Sequence, residues 1–259
     1  MAELKPLLKF DKISLSFGGI TALKDVSFDV EKNSITSIIG PNGAGKTSIF
    51  NCISGIYTPD SGNIVFEDKE ITNMRPNKIA ELGIARTFQN IELFENLTVL
   101  ENILTGVHRR LDYSILSGLF YSSKAKRGEL YARKEAEDII DFLEIEEYRY
   151  SYVMSLPYGI QKRVELGRAL ALAPKLILLD EPAAGMNNEE TEDIARFIID
   201  INEELNISVL LVDHDMNMVT DIAHQITVLN FGEKIADGTP DQVVKNESVI
   251  EAYVGSSKK

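Results

Sequence analysis

Eight consecutive residues between an apolar run and a predicted helix combine glycines with a lysine and a threonine. The segment reads Gly40-Pro41-Asn42-Gly43-Ala44-Gly45-Lys46-Thr47, is followed by Ser48, and fits the pattern G-x-x-x-x-G-K-[ST] at every fixed position. Glycines let backbone N–H groups turn inward, so that amides, the positive end of the helix and the Lys46 ammonium face one anion. The spacing therefore predicts a loop for the phosphate chain of a nucleotide, with the Thr47 hydroxyl on Mg²⁺. A plain glycine-rich turn is the alternative.

A pair of acids follows the apolar run Leu176–Leu179. Such a run predicts a strand buried on both faces, and the carboxyl ends of strands in a doubly wound sheet are where ligands bind. We expect Asp180 to hold Mg²⁺, directly or through water, and Glu181 to accept a hydrogen bond from the attacking water. The alternative is an acidic corner on the surface.

Three single residues carry weaker signals. His214 follows the next predicted strand, Ser208–Val212, on the same edge of the sheet, where it can contact a γ-phosphate or orient water. Phe17 ends the first predicted strand and can stack on a purine base, although a bare aromatic residue there also suits a core. Gln89 ends a predicted strand over 83–89, and its amide oxygen can reach Mg²⁺ or a water.

The surrounding pattern predicts an α/β fold with an inserted helical lobe. Polar and apolar residues mostly alternate over 8–17 and 26–30, which indicates two antiparallel strands beside the nucleotide. From Asn90 to about Tyr152 the apolar residues recur at helical spacing, which indicates a separate lobe. Within it, the segment Arg109–Arg133 mixes aromatic residues with a basic patch. This segment is either a solvated connection or a surface that binds a partner.

Composition narrows the class of protein. The chain has 259 residues, 44% of them hydrophobic, and Lys+Arg 27 against Asp+Glu 40 gives a net charge of -13. Phosphate contacts need clustered Lys and Arg, so this acidic chain is not expected to bind nucleic acid. The single cysteine, Cys52, excludes an internal disulfide and suits a buried position in the helix after the loop. No apolar run is long enough to cross a bilayer, and Met1–Pro6 lacks the apolar core of a secretion signal, so we expect a cytosolic protein.

Taken in order, these residues resemble those of the ATP-binding subunits of ATP-binding-cassette (ABC) transporters. The ordered set comprises an aromatic stacker, the phosphate loop, a Q-loop, a signature segment, Walker B, a D-loop and a switch histidine: Phe17, Gly40–Thr47, Gln89, Leu156–Ile160, Leu176–Glu181, Ala183–Asn187 and His214. The resemblance implies a P-loop NTPase core with an antiparallel β-subdomain and an inserted α-helical subdomain. It also implies one ABC domain over 1–259, with the core at 1–89 and 165–259 and the signature subdomain at 90–164.

The signature segment departs from the family pattern. Leu156-Pro157-Tyr158-Gly159-Ile160 stands where ABC proteins usually have Leu-Ser-Gly-Gly-Gln. The serine hydroxyl that would donate to the γ-phosphate is missing, and Pro157 has no backbone N–H. The N–H groups of Tyr158 and Gly159 and the positive end of the following helix still form an anion site. We expect a weaker signature contact, with support from Ser155.

Four further stretches of the sequence resemble the larger ATPase subunit of branched-chain amino acid importers. The similar stretches are Gly83–Asn90, Glu181–Asn187, the insert Arg109–Arg133 and the ending Val249–Gly255. The ATPase subunits for urea uptake and for lipopolysaccharide extraction share parts of these sequence stretches, so urea and lipopolysaccharide are alternative solutes. A soluble ABC ATPase of DNA repair or translation would need a coiled-coil insert or a second cassette and a basic surface, and the chain has none of these. A non-catalytic regulatory cassette, suggested by Pro157, is the other alternative.

The resemblance also implies a mechanism and a set of partners. Two ATP-binding subunits, identical or merely similar, pair head to tail around ATP, with Lys46 and Mg²⁺ neutralising charge. Glu181 polarises the water, His214 positions it, and Gln89 reports the occupied site to transmembrane permease subunits. An extracytoplasmic solute-binding protein acts indirectly. The expected location is cytoplasmic, on the inner face of the membrane through the permease.

Overall fold

The computed structural model of the protein describes residues 5–89, 91–110 and 123–256. They divide into two compact units. The first is built from the chain up to Arg86 and from Lys175 onward, and the second runs from Thr87 to Pro174. Among the described residues, no helix combines the length and the apolar composition needed to span a bilayer.

The first unit contains an antiparallel sheet of four strands, β1 (Leu8–Phe17), β2 (Ile20–Val30), β4 (Ser61–Phe66) and β5 (Lys69–Glu70). Their order is β2-β1-β4-β5. Alternate residues of β1 and β2 face the core, as the polar–apolar alternation predicts, and Phe10 stacks on Phe28 with ring centroids 4.9 Å apart.

A second, six-stranded sheet carries the phosphate loop. It consists of β3 (Ile35–Ile39), β6 (Ile84–Arg86), β7 (Leu176–Asp180), β8 (Ser208–Val212), β9 (Gln225–Asn230) and β10 (Glu233–Gly238). The order is β10-β9-β3-β8-β7-β6, and all neighbours are parallel except β9 and β10, which form an antiparallel hairpin. Every residue of β3, β7 and β8 is buried, because these strands are covered on both faces.

Strand β6 is shorter than the sequence predicts. It ends at Arg86, so Gln89 lies beyond the strand and not at its end. The pairing of β6 with β7 stops at Arg86 and Leu178, and the next residue, Thr87, already belongs to the second unit. The predicted strand over 83–89 is therefore wrong in its last three residues and at Gly83, which caps the end of α2.

Six helices in the described part of the first unit pack around the sheets: α1 (Lys46–Ile53), α2 (Pro76–Leu82), α6 (Asn188–Glu203), α7 (Met216–Ile222), α8 (Pro240–Val244) and α9 (Glu247–Ser256). Helix α6 begins with a capping box, in which Asn187 Oδ1 accepts from the Glu190 N–H and Glu190 Oε2 accepts from the Asn187 N–H, both at 3.0 Å. The apolar face of α6 is buried, including Phe197 and Ile201.

The second unit is helical, with α3 (Val99–Arg110), α4 (Ser123–Phe142), α5 (Tyr158–Leu170) and short 3₁₀ turns at Glu146–Tyr148 and Val153–Ser155. A boundary at residue 165 would cut α5, whereas the compact unit continues to Pro174. Part of the predicted insert Arg109–Arg133 forms the start of α4, and its aromatic residues Tyr113, Phe120 and Tyr121 lie outside the described residues.

Candidate functional site

The loop between β3 and α1 has a backbone that requires glycine. Gly40, Gly43 and Gly45 all have positive φ angles, of 150°, 81° and 104°. A Cβ atom on Gly40 would overlap the carbonyl oxygen of Leu229, and one on Gly45 would lie 2.6 Å from the Ala22 carbonyl oxygen. The glycines at these positions are thus a steric requirement of this loop, which leads the chain into the first turn of α1.

A hairpin turn supports the loop from the side. The Gly232 N–H donates to the Ala44 carbonyl at 3.0 Å, and the Gly232 carbonyl accepts from the Lys24 N–H at 2.8 Å. The β9–β10 turn is therefore hydrogen-bonded both to the phosphate loop and to β2.

Lys46 lies at the start of α1 and is buried. Its Nζ donates to the carbonyls of Gly40 at 2.7 Å and Pro41 at 3.2 Å. Burial lowers the pKa of the Lys46 ammonium, while the charges of Glu181, Asp180 and Asp213 oppose that shift. The Lys46 ammonium is therefore poorly hydrated and is attracted by three carboxylates. The lysine of the phosphate loop and the acids at the strand ends thus lie close together. Thr47, next along α1, is exposed.

Of the two predicted acids, Asp180 is the last residue of β7 and Glu181 follows it directly. Asp180 pairs with Val212 of the neighbouring strand β8, and the Glu181 N–H donates to the Val212 carbonyl at 2.7 Å. Glu181 has a φ of 49°, an unusual backbone conformation for a residue with a side chain. Such strained positions cluster at functional sites, where the surrounding structure enforces them.

His214 joins this edge, as the sequence predicts. Its Nδ1 lies 3.9 Å from Glu181 Oε2 and 3.7 Å from Asp213 Oδ1, so the imidazole lies near two carboxylates. The His214 side chain is 62% exposed. The first unit therefore places Lys46, Asp180, Glu181 and His214 at one edge of the sheet.

Asp213 is an acid to which the sequence assigned no role. It is 1% exposed, and Oδ1 accepts from the N–H groups of His214 at 2.7 Å and Asp215 at 3.0 Å. Its Oδ2 is buried and has no hydrogen-bond donor among the described residues. The available signal was its position directly after the buried strand β8.

Arg86 is a second residue that the sequence did not single out. Its guanidinium donates to Asp180 Oδ2 at 2.8 Å, and the two side chains are 8% and 5% exposed. The same guanidinium donates to Asn51 Oδ1 at 2.8 Å and contacts Ser54 Oγ at 3.3 Å, both at the end of α1. The only local sign of this role in the sequence is that a charged residue directly follows the apolar pair Ile84-Ala85.

Phe17 is placed at the surface and not in the core. The residue is 46% exposed, and its ring meets Tyr57 edge-on with centroids 5.0 Å apart. The geometry removes the alternative of a core aromatic. Stacking on a base stays a prediction.

In the second unit, the signature segment leads into α5. Pro157 precedes the helix with a φ of −55°, which suits proline, and Gln161 Nε2 donates to the Leu156 carbonyl at 2.9 Å. The first N–H groups of a helix point out of its N-terminal end, and here they belong to Tyr158, Gly159 and Ile160. The Ser155 hydroxyl donates to the Tyr152 carbonyl at 2.7 Å, so it is engaged within its own turn.

A buried ion pair on α5 holds the segment that contains Gln89. Lys162 Nζ lies 3.2 Å from the Gln89 carbonyl and 3.4 Å from Glu165 Oε2, and Glu165 Oε1 accepts from the Phe88 N–H at 3.2 Å. Burial raises the pKa of Glu165, with the Lys162 charge as the main opposing influence. This pair is not among the residues predicted from the sequence, although two opposite charges three residues apart on a helix are a recognisable signal.

Mg²⁺ suits the donors of the first unit. The Thr47 hydroxyl and the Asp180 carboxylate are hard oxygen ligands, and Mg²⁺ in nucleotide sites uses one or two such protein ligands with water and phosphate. Among the described residues, no group of three or more His, Cys, Asp or Glu side chains is arranged to hold a metal alone. Thr47 and Asp180 are the donors of this unit that would hold a phosphate-bound Mg²⁺.

The sequence profile of the ABC transporter family matches residues 23–184, and that described as branched-chain amino acid ATP-binding cassette transporter matches residues 233–259. The chain is 40% identical over 253 residues to the high-affinity branched-chain amino acid transport ATP-binding protein BraF of Pseudomonas aeruginosa, and 37% identical to LivG of Escherichia coli K12. Each alignment covers 98% of this chain and 99% of the relative.

Solved structures agree with the sequence comparisons. A nucleotide-free ATP-binding cassette from an ABC transporter superimposes with a TM-score of 0.83 at 34% identity, covering 96% of this chain and 99% of the other. A dimeric cassette in a post-hydrolysis state, bound to ADP and Pi, superimposes with a TM-score of 0.76 at 25% identity, covering 90% and 98%.

Proposed function

The chain belongs to the ABC transporter family of ATP-binding cassettes, and from that premise we propose that its phosphate loop and strand-tip acids bind and hydrolyse ATP to power a membrane transporter. The observation that carries this proposal is the buried Lys46 ammonium at the start of α1, which donates to the carbonyls of Gly40 and Pro41 within the glycine loop. A buried cation at a helix N-terminus, on the sheet edge that also carries Asp180 and Glu181, is an arrangement suited to a metal-bound phosphate chain.

Each residue of the first unit has a role in this proposal. The amides of Gly40–Thr47, with Ser48, hold the phosphates, and Lys46 exchanges its carbonyl contacts for phosphate oxygens. Thr47 and Asp180 would hold Mg²⁺, which supplies positive charge against the phosphate oxygens when bound. Phe17 offers its exposed ring to the base.

Hydrolysis then depends on orienting water. Glu181 accepts a hydrogen bond from the attacking water, and its strained backbone fixes the carboxylate at the tip of β7. His214, 3.9 Å from Glu181, positions the same water. The N–H groups of Tyr158 and Gly159 offer an anion site to the nucleotide of a second ATP-binding subunit.

The most suitable solutes are branched-chain amino acids. This assignment is supported by the names of the relatives and by the match of residues 233–259 to the branched-chain profile. The partners are permease subunits, a second ATP-binding subunit and, indirectly, an extracytoplasmic binding protein, with the chain on the cytoplasmic face of the membrane. The membrane proteins that co-purify with the chain test this assignment, and a urea or lipopolysaccharide permease among them would contradict it.

Replacing the phosphate-loop lysine tests the nucleotide site. ATP with Mg²⁺ at about a hundred times its Kd stabilises a protein by about 2.7 kcal/mol, which raises the melting temperature measurably. We expect this rise in the parent protein and its loss in Lys46→Ala. Lys32→Ala, which removes an exposed lysine of the same unit, is the matched control and should keep the rise. An equal rise in Lys46→Ala and the parent would refute the proposed site.

A further inference from the structure

Arg86 connects three elements of the first unit through one buried side chain. It ends β6, its guanidinium binds Asp180 at the end of β7, and Asn51 and Ser54 hold it from α1. The guanidinium carbon also lies 5.4 Å from the centre of the Phe50 ring. The side chain is thus fixed on several sides, and its orientation is set by the packing around it.

The helix that holds Arg86 is the helix that begins with the phosphate-binding residues. Lys46 and Thr47 form the first turn of α1, and Asn51 and Ser54 lie at its other end. One terminal nitrogen of the planar guanidinium donates to Asn51 Oδ1 and the other to Asp180 Oδ2, so the guanidinium holds that carboxylate oxygen at a fixed place relative to α1. Arg86 therefore connects Asp180, the acid expected to bind the metal, to α1, the helix that begins with the phosphate-binding residues.

We propose that Arg86 is a positioning residue for Mg²⁺ binding, which holds the Asp180 carboxylate in the orientation that the metal requires. This inference rests on the proposed function, because it takes Asp180 as the acid that holds the metal. Neighbours that orient a metal ligand commonly change metal affinity by 10- to 100-fold when they are removed.

An opposite effect has to be weighed, since a guanidinium also repels a metal cation. Repulsion would make removal of Arg86 strengthen Mg²⁺ binding. However, the Asp180 side chain is only 5% exposed, and a buried carboxylate that loses its cationic partner turns toward other donors. That reorientation removes the metal ligand, so the loss of positioning outweighs the loss of repulsion.

The test compares Mg²⁺ affinity with nucleotide affinity in the purified full-length chain. Equilibrium dialysis with ATP in EDTA gives the metal-free affinity, and titration of the ATP-bound protein with Mg²⁺, followed by its melting temperature, gives the half-saturating concentration. We expect Arg86→Met to raise that concentration about tenfold, with metal-free ATP affinity within about twofold of the parent. Arg86→Lys, which keeps the charge without the fork, should give an intermediate value.

Arg196→Met is the matched control, because Arg196 also pairs with acids, Asp193 and Asp200, but on the partly exposed face of α6. It should leave the half-saturating concentration unchanged. If Arg86→Met fails to fold, Arg86→Lys alone decides. A half-saturating concentration that stays constant or falls in the Arg86 variants would overturn the inference. Absence of ATP binding to the parent would instead refute the proposed function.

Discussion

At the scale of single residues, Cys52 shows how burial sets reactivity. The thiol lies in α1 with no exposed surface, as the sequence predicts for a small apolar residue. Burial, and to a lesser degree the charge of Asp60, raises the pKa of Cys52 to about 12. Since the thiolate is the nucleophile, the native thiol should resist disulfide exchange reagents at neutral pH.

The raised pKa predicts a loss of stability at alkaline pH. The unfolded thiol releases its proton near its ordinary pKa of 9.0, whereas the native thiol keeps it to about 12, so the native state binds more protons in that interval. The free energy of unfolding should therefore fall as pH rises above 9, by up to about 1.4 kcal/mol per pH unit. Urea unfolding at pH 8 to 10.5 measures this slope. Cys52→Ala should show a shallower slope, and equal slopes would contradict the prediction.

Residues that form a local motif were predictable, and residues paired over long distances were not. Lys46 and Thr47 belong to one contiguous pattern whose geometry follows from its glycines. Arg86 and Asp180 are 94 positions apart, and only the parallel pairing of β6 with β7 brings them together. No spacing in the chain encodes such a pair, so Arg86 was missed.

At the scale of elements, the strands β3, β7 and β8 follow directly from their unbroken apolar runs. The same pattern overestimates β6, because Thr87–Gln89 continue the extended-looking sequence after the pairing with β7 has stopped at Arg86, although β7 itself continues to Asp180. From Thr87 the chain belongs to the second compact unit, and a single segment does not reveal where such a departure from the sheet occurs. Residue 165 lies inside α5, and the compact helical unit continues to Pro174, because the composition of α5 does not change at that position.

Helix α5 provides a prediction at this scale. Lys162 is 4% exposed and bonds to Glu165 and to the carbonyls of Phe88 and Gln89. Lys162→Met leaves a buried carboxylate without its cation, which costs about 3 kcal/mol. We expect a lower urea midpoint for unfolding.

The matched control for that variant is Lys134→Met. Lys134 pairs with Asp138 on α4, but their side chains are 74% and 56% exposed. Solvent screens such pairs, so the midpoint should stay at the parental value. Equal effects of the two lysine substitutions would mean that burial of the α5 pair has no energetic consequence.

At the scale of the whole molecule, ATP-driven pairing of two copies follows from the proposed function. A dimeric relative is known among the superimposable cassettes. Glu181→Gln should keep ATP binding, because the loop is untouched, but it should not activate water. We therefore expect the variant to accumulate as a closed dimer of twice the monomer mass in light scattering with ATP and Mg²⁺.

Adding Lys46→Ala to Glu181→Gln should return the protein to a monomer, because no nucleotide is held. A Glu181→Gln protein that stays monomeric and hydrolyses ATP at the parental rate would show that another group activates the water.

The position of β3 has a consequence for the order in which the protein becomes functional during synthesis. This strand carries the phosphate loop, yet both of its neighbours come much later in the chain, with Ile35 opposite Val209 and Thr36 opposite Gln225. The Ala44 carbonyl also has to accept its hydrogen bond from the N–H of Gly232, which is synthesised much later. A ribosome-bound chain therefore holds an early nucleotide motif without the strands that shape it, and we expect it to bind ATP only after the segment that contains Gly232 has emerged.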